Sequence, residues 1–77
     1  MVYGAATAGI TQDSSGNVGI GTTSPTVKLA VSDGTTIAQV NPSAGIAYFG
    51  TVNSYPMALS VNSSEKVRID TAGNVGI

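Results

Sequence analysis

Asp13-Ser14-Ser15-Gly16-Asn17-Val18-Gly19-Ile20 returns as Asp70-Thr71-Ala72-Gly73-Asn74-Val75-Gly76-Ile77, displaced by 57 residues, with six of the eight positions identical. The residue types define a shape. Asp at the first position and Gly at the fourth suit a type I turn, and a following residue with positive φ makes a short hairpin loop with a bulge. The repeat therefore predicts that Ile10–Asp13 pairs antiparallel with Asn17–Ile20 around Ser14-Ser15. In the same way, Val67–Asp70 pairs with Asn74–Ile77 around Thr71-Ala72. Asp13 and Asp70 cap their own turns by accepting backbone N–H groups. Gly19 and Gly76 sit inside strands, where glycine is weakening unless another backbone comes close. Two chains meeting at those glycines would account for them.

Outward from the repeat, apolar residues alternate with polar ones. Val18 and Ile20 share a face, as do Val27, Leu29 and Val31, then Met57, Leu59 and Val61, then Val67 and Ile69. Short alternating runs rich in β-branched residues, separated by Gly, Pro, Ser and Asn, are strand signals. No stretch keeps a 3,4 apolar spacing over three turns, so no substantial helix is expected and the class is all-β.

Composition limits what such a chain does by itself. Seventy-seven residues make one small domain or part of a larger one, and a domain of this size buries only about 60–65% of its unfolded surface. With no Cys and no His, disulfides, thiolate zinc sites and the usual general base are excluded. Leu, Ile, Val and Phe supply eighteen residues, close to the level at which chains stop folding alone, yet only seven residues are charged. Of the usual aids to a small fold, association with further chains is the one left. Three basic residues and a net charge of −1 leave no nucleic-acid footprint. No apolar run approaches the roughly 20 residues of a membrane-spanning helix. Met1-Val2-Tyr3-Gly4 lacks the basic and apolar stretches of a signal peptide.

With those residues in view, the chain resembles a repeat of tailed-bacteriophage tail fibres and related virion fibres. In that family a segment of the form Arg-Ile-Asp-Ser-x-Gly-Asn-Val-Gly-Ile-Gly-Thr-Thr-Ser-Pro leads into Lys-Leu-x-Val. Here Asp13 to Pro25 carries thirteen contiguous residues of that pattern, followed by Lys28-Leu29-Ala30-Val31. Val67 to Ile77 matches its beginning, and Tyr48-Phe49-Gly50-Thr51 through Ser63-Ser64-Glu65-Lys66 resembles the stretch that precedes it. The resemblance implies a β-rich, intertwined homotrimeric shaft, a β-prism or triple β-helix, located in the virion and supporting attachment to the host surface. It divides the chain into a lead-in strand region, residues 1–12, and a fibre-like repeat segment, residues 13–77, cut within the second copy of the repeat. Some such fibres end in a self-cleaving trimerisation chaperone. Nothing in this chain matches it, so no autoproteolytic residue is carried over, and no glycan-contacting residue either.

Each chemically suggestive cluster has a plainer reading beside it. Gly16-Asn17-Val18-Gly19-Ile20-Gly21 is not the dinucleotide spacing, and no helix follows to receive a phosphate. Asp13–Asn17 and Asp70–Asn74 each hold one carboxylate where calcium wants six to eight oxygens, so turn capping is expected and no metal. Glu65, Lys66, Arg68 and Asp70 are the densest charges. Lys66, Arg68 and Asp70 are expected on one strand face, as a solvated edge or a lateral ion pair. Tyr48, Phe49 and Tyr55 read as packing between chains, or as a platform for sugar rings. Tyr55-Pro56 is a candidate cis turn, and Asn62-Ser63-Ser64 has the form of a glycosylation acceptor. A glycosidase needs a carboxylate pair about 5–10 Å apart, and the four acidic residues are scattered. The expectation is a structural protein without cofactor or catalytic residue, self-associating as a homotrimer. The alternative is a carbohydrate- or receptor-binding tip, or the head of a trimeric surface adhesin. Adhesin heads stack short rungs, unlike the 57-residue spacing here.

Overall fold

The computed structural model describes residues 9–77, and among them the chain is all-β, without helix. Eight strands follow in order: β1 Ile10–Gln12, β2 Val18–Ile20, β3 Leu29–Ser32, β4 Ile37–Ser43, β5 Ile46–Thr51, β6 Met57–Val61, β7 Ser64–Ile69 and β8 Val75–Gly76. They form a five-stranded sheet in the order β1-β2-β3-β4-β5 and a three-stranded sheet in the order β6-β7-β8. Of the expected lead-in strand, residues 1–8 lie outside the described residues, and Ile10–Gln12 is β1.

The repeat folds as its aspartates dictate. Asp13 Oδ1 accepts the N–H groups of Ser15 and Asn17, each at 2.9 Å. Its carbonyl accepts Gly16 N–H at 3.1 Å, and its own N–H donates to the Asn17 carbonyl at 2.9 Å. The second copy repeats all four bonds. Asp70 Oδ1 accepts Ala72 and Asn74 N–H at 3.0 and 2.9 Å, with backbone bonds Gly73 to Asp70 and Asp70 to Asn74 at 3.0 Å. Gly16 at φ +85° and Gly73 at φ +89° supply the left-handed residue each loop needs. Even the register is shared: Thr11 opposes Gly19 as Arg68 opposes Gly76, and Gln12 opposes Val18 as Ile69 opposes Val75.

Two further hairpins have two-residue turns. Ala44-Gly45 joins β4 to β5 at φ +52° and +81°, and Asn62-Ser63 joins β6 to β7 at φ +53° and +62°. Positive φ at both central positions is the type I′ geometry, whose twist matches that of the flanking strands. The β4–β5 hairpin is the longest ladder in the molecule, and the alternation in sequence does not announce it. Its strand contains Pro42, ordinarily an argument against a central strand. Pro42 is tolerated because β3 pairs only with Ile37–Val40, so β4 is already an edge where the proline sits.

The pairing is not purely antiparallel. β2 and β3 run parallel, with Val18, Gly19 and Ile20 opposite Leu29, Ala30 and Val31. Parallel crossovers ordinarily take a dozen or more residues and a helix. This one takes residues 21–28, and so short a connection must lie directly on the sheet. The molecule is loosely gathered: its radius of gyration is 13.9 Å, against about 11 Å for a compact domain of this length.

Candidate functional site

The register sorts the five-stranded sheet into two faces. Thr11, Gly19, Ala30, Gln39 and Gly50 align in one row and point to one side. There the crossover covers the sheet. A Cβ on Gly19 would lie 2.5 Å from the Thr22 carbonyl oxygen, 2.9 Å from Thr22 Cγ2 and 3.4 Å from Pro25 Cβ. Gly19, Pro25 and Ala30 are the only buried residues among those described, Ala30 at 1% exposure. Asn17 fastens the lid by donating from Nδ2 to the Pro25 carbonyl at 3.4 Å. Gly21, at φ +78°, passes against the Ser32 carbonyl and donates to the Gly9 carbonyl at 2.9 Å. So the close approach expected at Gly19 exists, but its own chain makes it rather than a second one. A Cβ added at Gly76 would meet no atom within 4 Å.

The opposite face carries the aliphatic side chains, and none of the described residues covers it. Ile10, Ile20, Val31 and Ala38 form one row; Val18, Leu29, Val40 and Phe49 form the next. Ile10, Ile20, Val31 and Val40 are all exposed, and Phe49 is 64% exposed. The three-stranded sheet repeats the pattern with Leu59, Val61, Ile69 and Val75, the last at 67%. Scattered exposed apolar residues are normal, whereas a contiguous aliphatic sheet face is not. Each large side chain left in water forgoes about 1.5–3 kcal/mol of burial. The period-two alternation in the sequence picks out Val18, Ile20, Leu29 and Val31 of this face but not Ile10, Val40 or Phe49; only the register shows that they form one surface.

Tyr48, Phe49 and Tyr55 come together. With Met57, Ile69 and Asp70 they border an open cleft of about 460 Å³ between the last strand of one sheet and the first strands of the other. Its polar neighbours are already engaged. Gln39 Nε2 donates to the Thr51 carbonyl at 3.2 Å, and Thr51 Oγ1 donates to the Tyr55 carbonyl at 2.9 Å. Asn53 bridges two backbone segments, accepting Ile37 N–H at 3.1 Å and donating to the Thr35 carbonyl at 2.7 Å. Sequence reasoning passed over Asn53, because only the fold brings residues 35–37 to it. The Tyr55–Pro56 bond is trans, as are the other described peptide bonds. Asn62, of the acceptor pattern, holds the type I′ turn.

The charged cluster is rearranged by a bulge. The register slips between Leu59 and Ser60, so that Val67 opposes Leu59 while Glu65 opposes Ser60. Lys66 is the extra residue, and alternation reverses across it. Glu65, not Lys66, therefore shares a face with Arg68. The guanidinium makes a two-pronged contact, Nε at 2.9 and 3.1 Å and Nη2 at 2.8 Å. That contact holds the Glu65 carboxyl below its ordinary range and raises the Arg68 guanidinium. Asp70 stands in its turn instead of on that face; the Asn74 N–H, foremost, holds its carboxyl low. Asp33 is likewise held low by the N–H groups of Thr36 and Thr35. These carboxylates are turn caps and one ion pair. Among the described residues no three acidic groups gather in one place.

With the geometry in place, comparison with protein-family models, curated proteins and solved structures finds no match to the chain.

Proposed function

We propose that this chain is a structural segment of a viral, phage-like tail fibre, extracellular in the virion, which extends a device for host-surface attachment. In this reading it associates as an intertwined homotrimer, and the aliphatic faces of its sheets meet one another around the fibre axis. The observation that carries the reading is the uncovered row pair Ile10, Ile20, Val31 and Val18, Leu29, Val40, Phe49. A face of that composition needs an apolar partner, and three symmetric copies supply one without any other molecule. The thirteen-residue motif resemblance supplies the fibre. No catalytic role is assigned to any residue, and neither nucleic acid nor a membrane enters the reading. Light scattering on the folded chain is expected to give three times its 7.6 kDa mass; a stable folded monomer overturns the proposal.

A second reading rests on the aromatic cleft. Tyr48, Phe49 and Tyr55 offer faces on which sugar rings stack, as in a carbohydrate-binding tip or adhesin head. Its weakness is the polar lining: Gln39, Thr51 and Asn53 spend hydrogen bonds on backbone groups that a glycan would need. Glycan-array binding lost on Tyr55→Ala would favour it over the shaft.

A further inference from the structure

We propose that the outer edge of β5 pairs with the outer edge of β6 from a second copy of the chain, so that the five-stranded sheet of one copy continues into the three-stranded sheet of the next. The pairing rests on the homotrimer reading, since three copies joined head to tail in this way close a ring. Strands adjacent in sequence pair at every step but one among the described residues: β1 with β2, β2 with β3, β3 with β4, β4 with β5, β6 with β7 and β7 with β8. β5 and β6 are the exception, although only residues 52–56 separate them. Strands joined by so short a connection ordinarily lie side by side.

The connection itself keeps them apart. Val52 N–H donates to the Ile37 carbonyl at 2.8 Å, and the Asn53 side chain joins Ile37 N–H to the Thr35 carbonyl. Tyr55 N–H donates to the Asn53 carbonyl, and the Tyr55 carbonyl accepts Thr51 Oγ1. These bonds tie residues 52–55 to the start of β4, and β6 leaves into the other sheet. Both edges stay bare as a result. Backbone direction alternates along a strand; with Val52 N–H turned to β4, Ala47 and Phe49 turn their N–H and C=O groups outward. Ile46–Phe49 and Ala58–Val61 are exposed.

The composition of the two strands specifies the occupant. Edge strands are ordinarily blunted by charges, proline or bulges. No charged residue lies between Gly34 and Ser64, Pro56 precedes β6, and the bulged residue belongs to β7. At six and five residues the strands match in length, whereas β1, at the far edge of its sheet, has three. Their faces match as well. Phe49 ends the row Val18, Leu29, Val40, and Leu59 with Val61 carries the open aliphatic face of β6. Placed edge to edge with those faces on one side, the two sheets present one continuous aliphatic surface toward the fibre axis.

The test refolds an equimolar mixture of unlabelled chain and chain labelled with nitrogen-15 and deuterium, followed by NMR. Because the labelled chain has no carbon-bound protons, contacts from its Ala47 and Phe49 amides to side-chain protons come from another copy. Contacts to Ala58, Leu59 and Ser60 are expected. Ala47→Pro removes an outward donor that no bond within the chain uses, and is expected to abolish those contacts while the amide signals of β1–β4 stay dispersed. A trimer by light scattering without these contacts overturns the pairing and leaves the homotrimer reading standing. Contacts from β5 to β5 of another copy overturn it in favour of a two-fold edge. A folded monomer overturns both the pairing and the homotrimer.

Discussion

The two copies of the Gly-Asn-Val-Gly-Ile repeat have the same turn and register, but different surroundings. Around residues 13–20 the chain folds back on itself: the 21–28 crossover seats Thr22 and Pro25 on Gly19, and β3 fills the neighbouring edge. At residues 70–77 the hairpin stands on its own turn bonds, and a Cβ added at Gly76 would meet no atom within 4 Å. The difference separates what the motif does alone from what it does with a partner strand. Alone it makes an aspartate-capped hairpin. With a following Gly-Thr-Thr-Ser-Pro loop it makes a small buried nucleus of Gly19, Pro25 and Ala30. Ile20 in the first copy and Val75 and Ile77 in the second stay exposed, and the fibre reading assigns them to contacts with further chains.

Valine at the two glycines separates the copies most strongly. Gly19→Val drives a branched side chain into the Thr22 backbone, and a loss of about 3 kcal/mol or more is expected in denaturant melts at fixed chain concentration. Gly76→Val is expected to change stability by no more than about 0.5 kcal/mol, since nothing opposes the added atoms. Equal losses would mean that the edge of β8 is covered as that of β2 is.

The turns give a smaller contrast. Asp13→Ala removes two charge-assisted bonds at a hairpin closing onto the buried nucleus, and is expected to cost about 1–2 kcal/mol. Asp70→Ala removes the equivalent bonds from a fully exposed hairpin, and a smaller fall in melting temperature is expected. The reverse order would show that the second hairpin, not the first, organises the fold.

The weakest effect is on pH dependence. Asp33, Glu65 and Asp70 have carboxyls held below their ordinary values in the folded chain. A depressed folded-state value stabilises above the unfolded pKa, and the gain is lost as pH falls through the folded value. Stability should therefore decline below about pH 4, and Asp70→Asn should shallow that decline slightly. Melting temperatures measured from pH 7 down to pH 2 read this directly; a rise on acidification contradicts it.

Much of this was legible from residue types. The hairpins at Asp13 and Asp70, their side-chain caps and the all-β class follow from Asp, Gly and alternation, because those signals act within four or five residues. What was not legible depends on distant partners. The parallel pairing of β2 with β3 requires knowing that residues 21–28 cross the sheet, and without that crossover Gly19 points to a second chain instead of to its own. The β4–β5 hairpin hides behind Pro42, which is harmless only because β3 ends before reaching it. The bulge at Lys66 replaces the expected Lys66–Arg68–Asp70 face with a Glu65–Arg68 pair, a change that one inserted residue makes and alternation alone cannot foresee. The aromatic cleft was visible as three residues, but not as a place.

The central claim is that the Val40 face is covered by other copies of the chain. Because the chain contains no cysteine, a thiol placed there reports on that face alone. Val40→Cys, at the middle of the open rows, and Ser15→Cys, at an exposed turn, can be compared for their rates of reaction with a maleimide under native conditions. The account predicts that the Val40→Cys thiol reacts at least about tenfold more slowly, because it must wait for the assembly to open. Equal rates from a folded chain would contradict it.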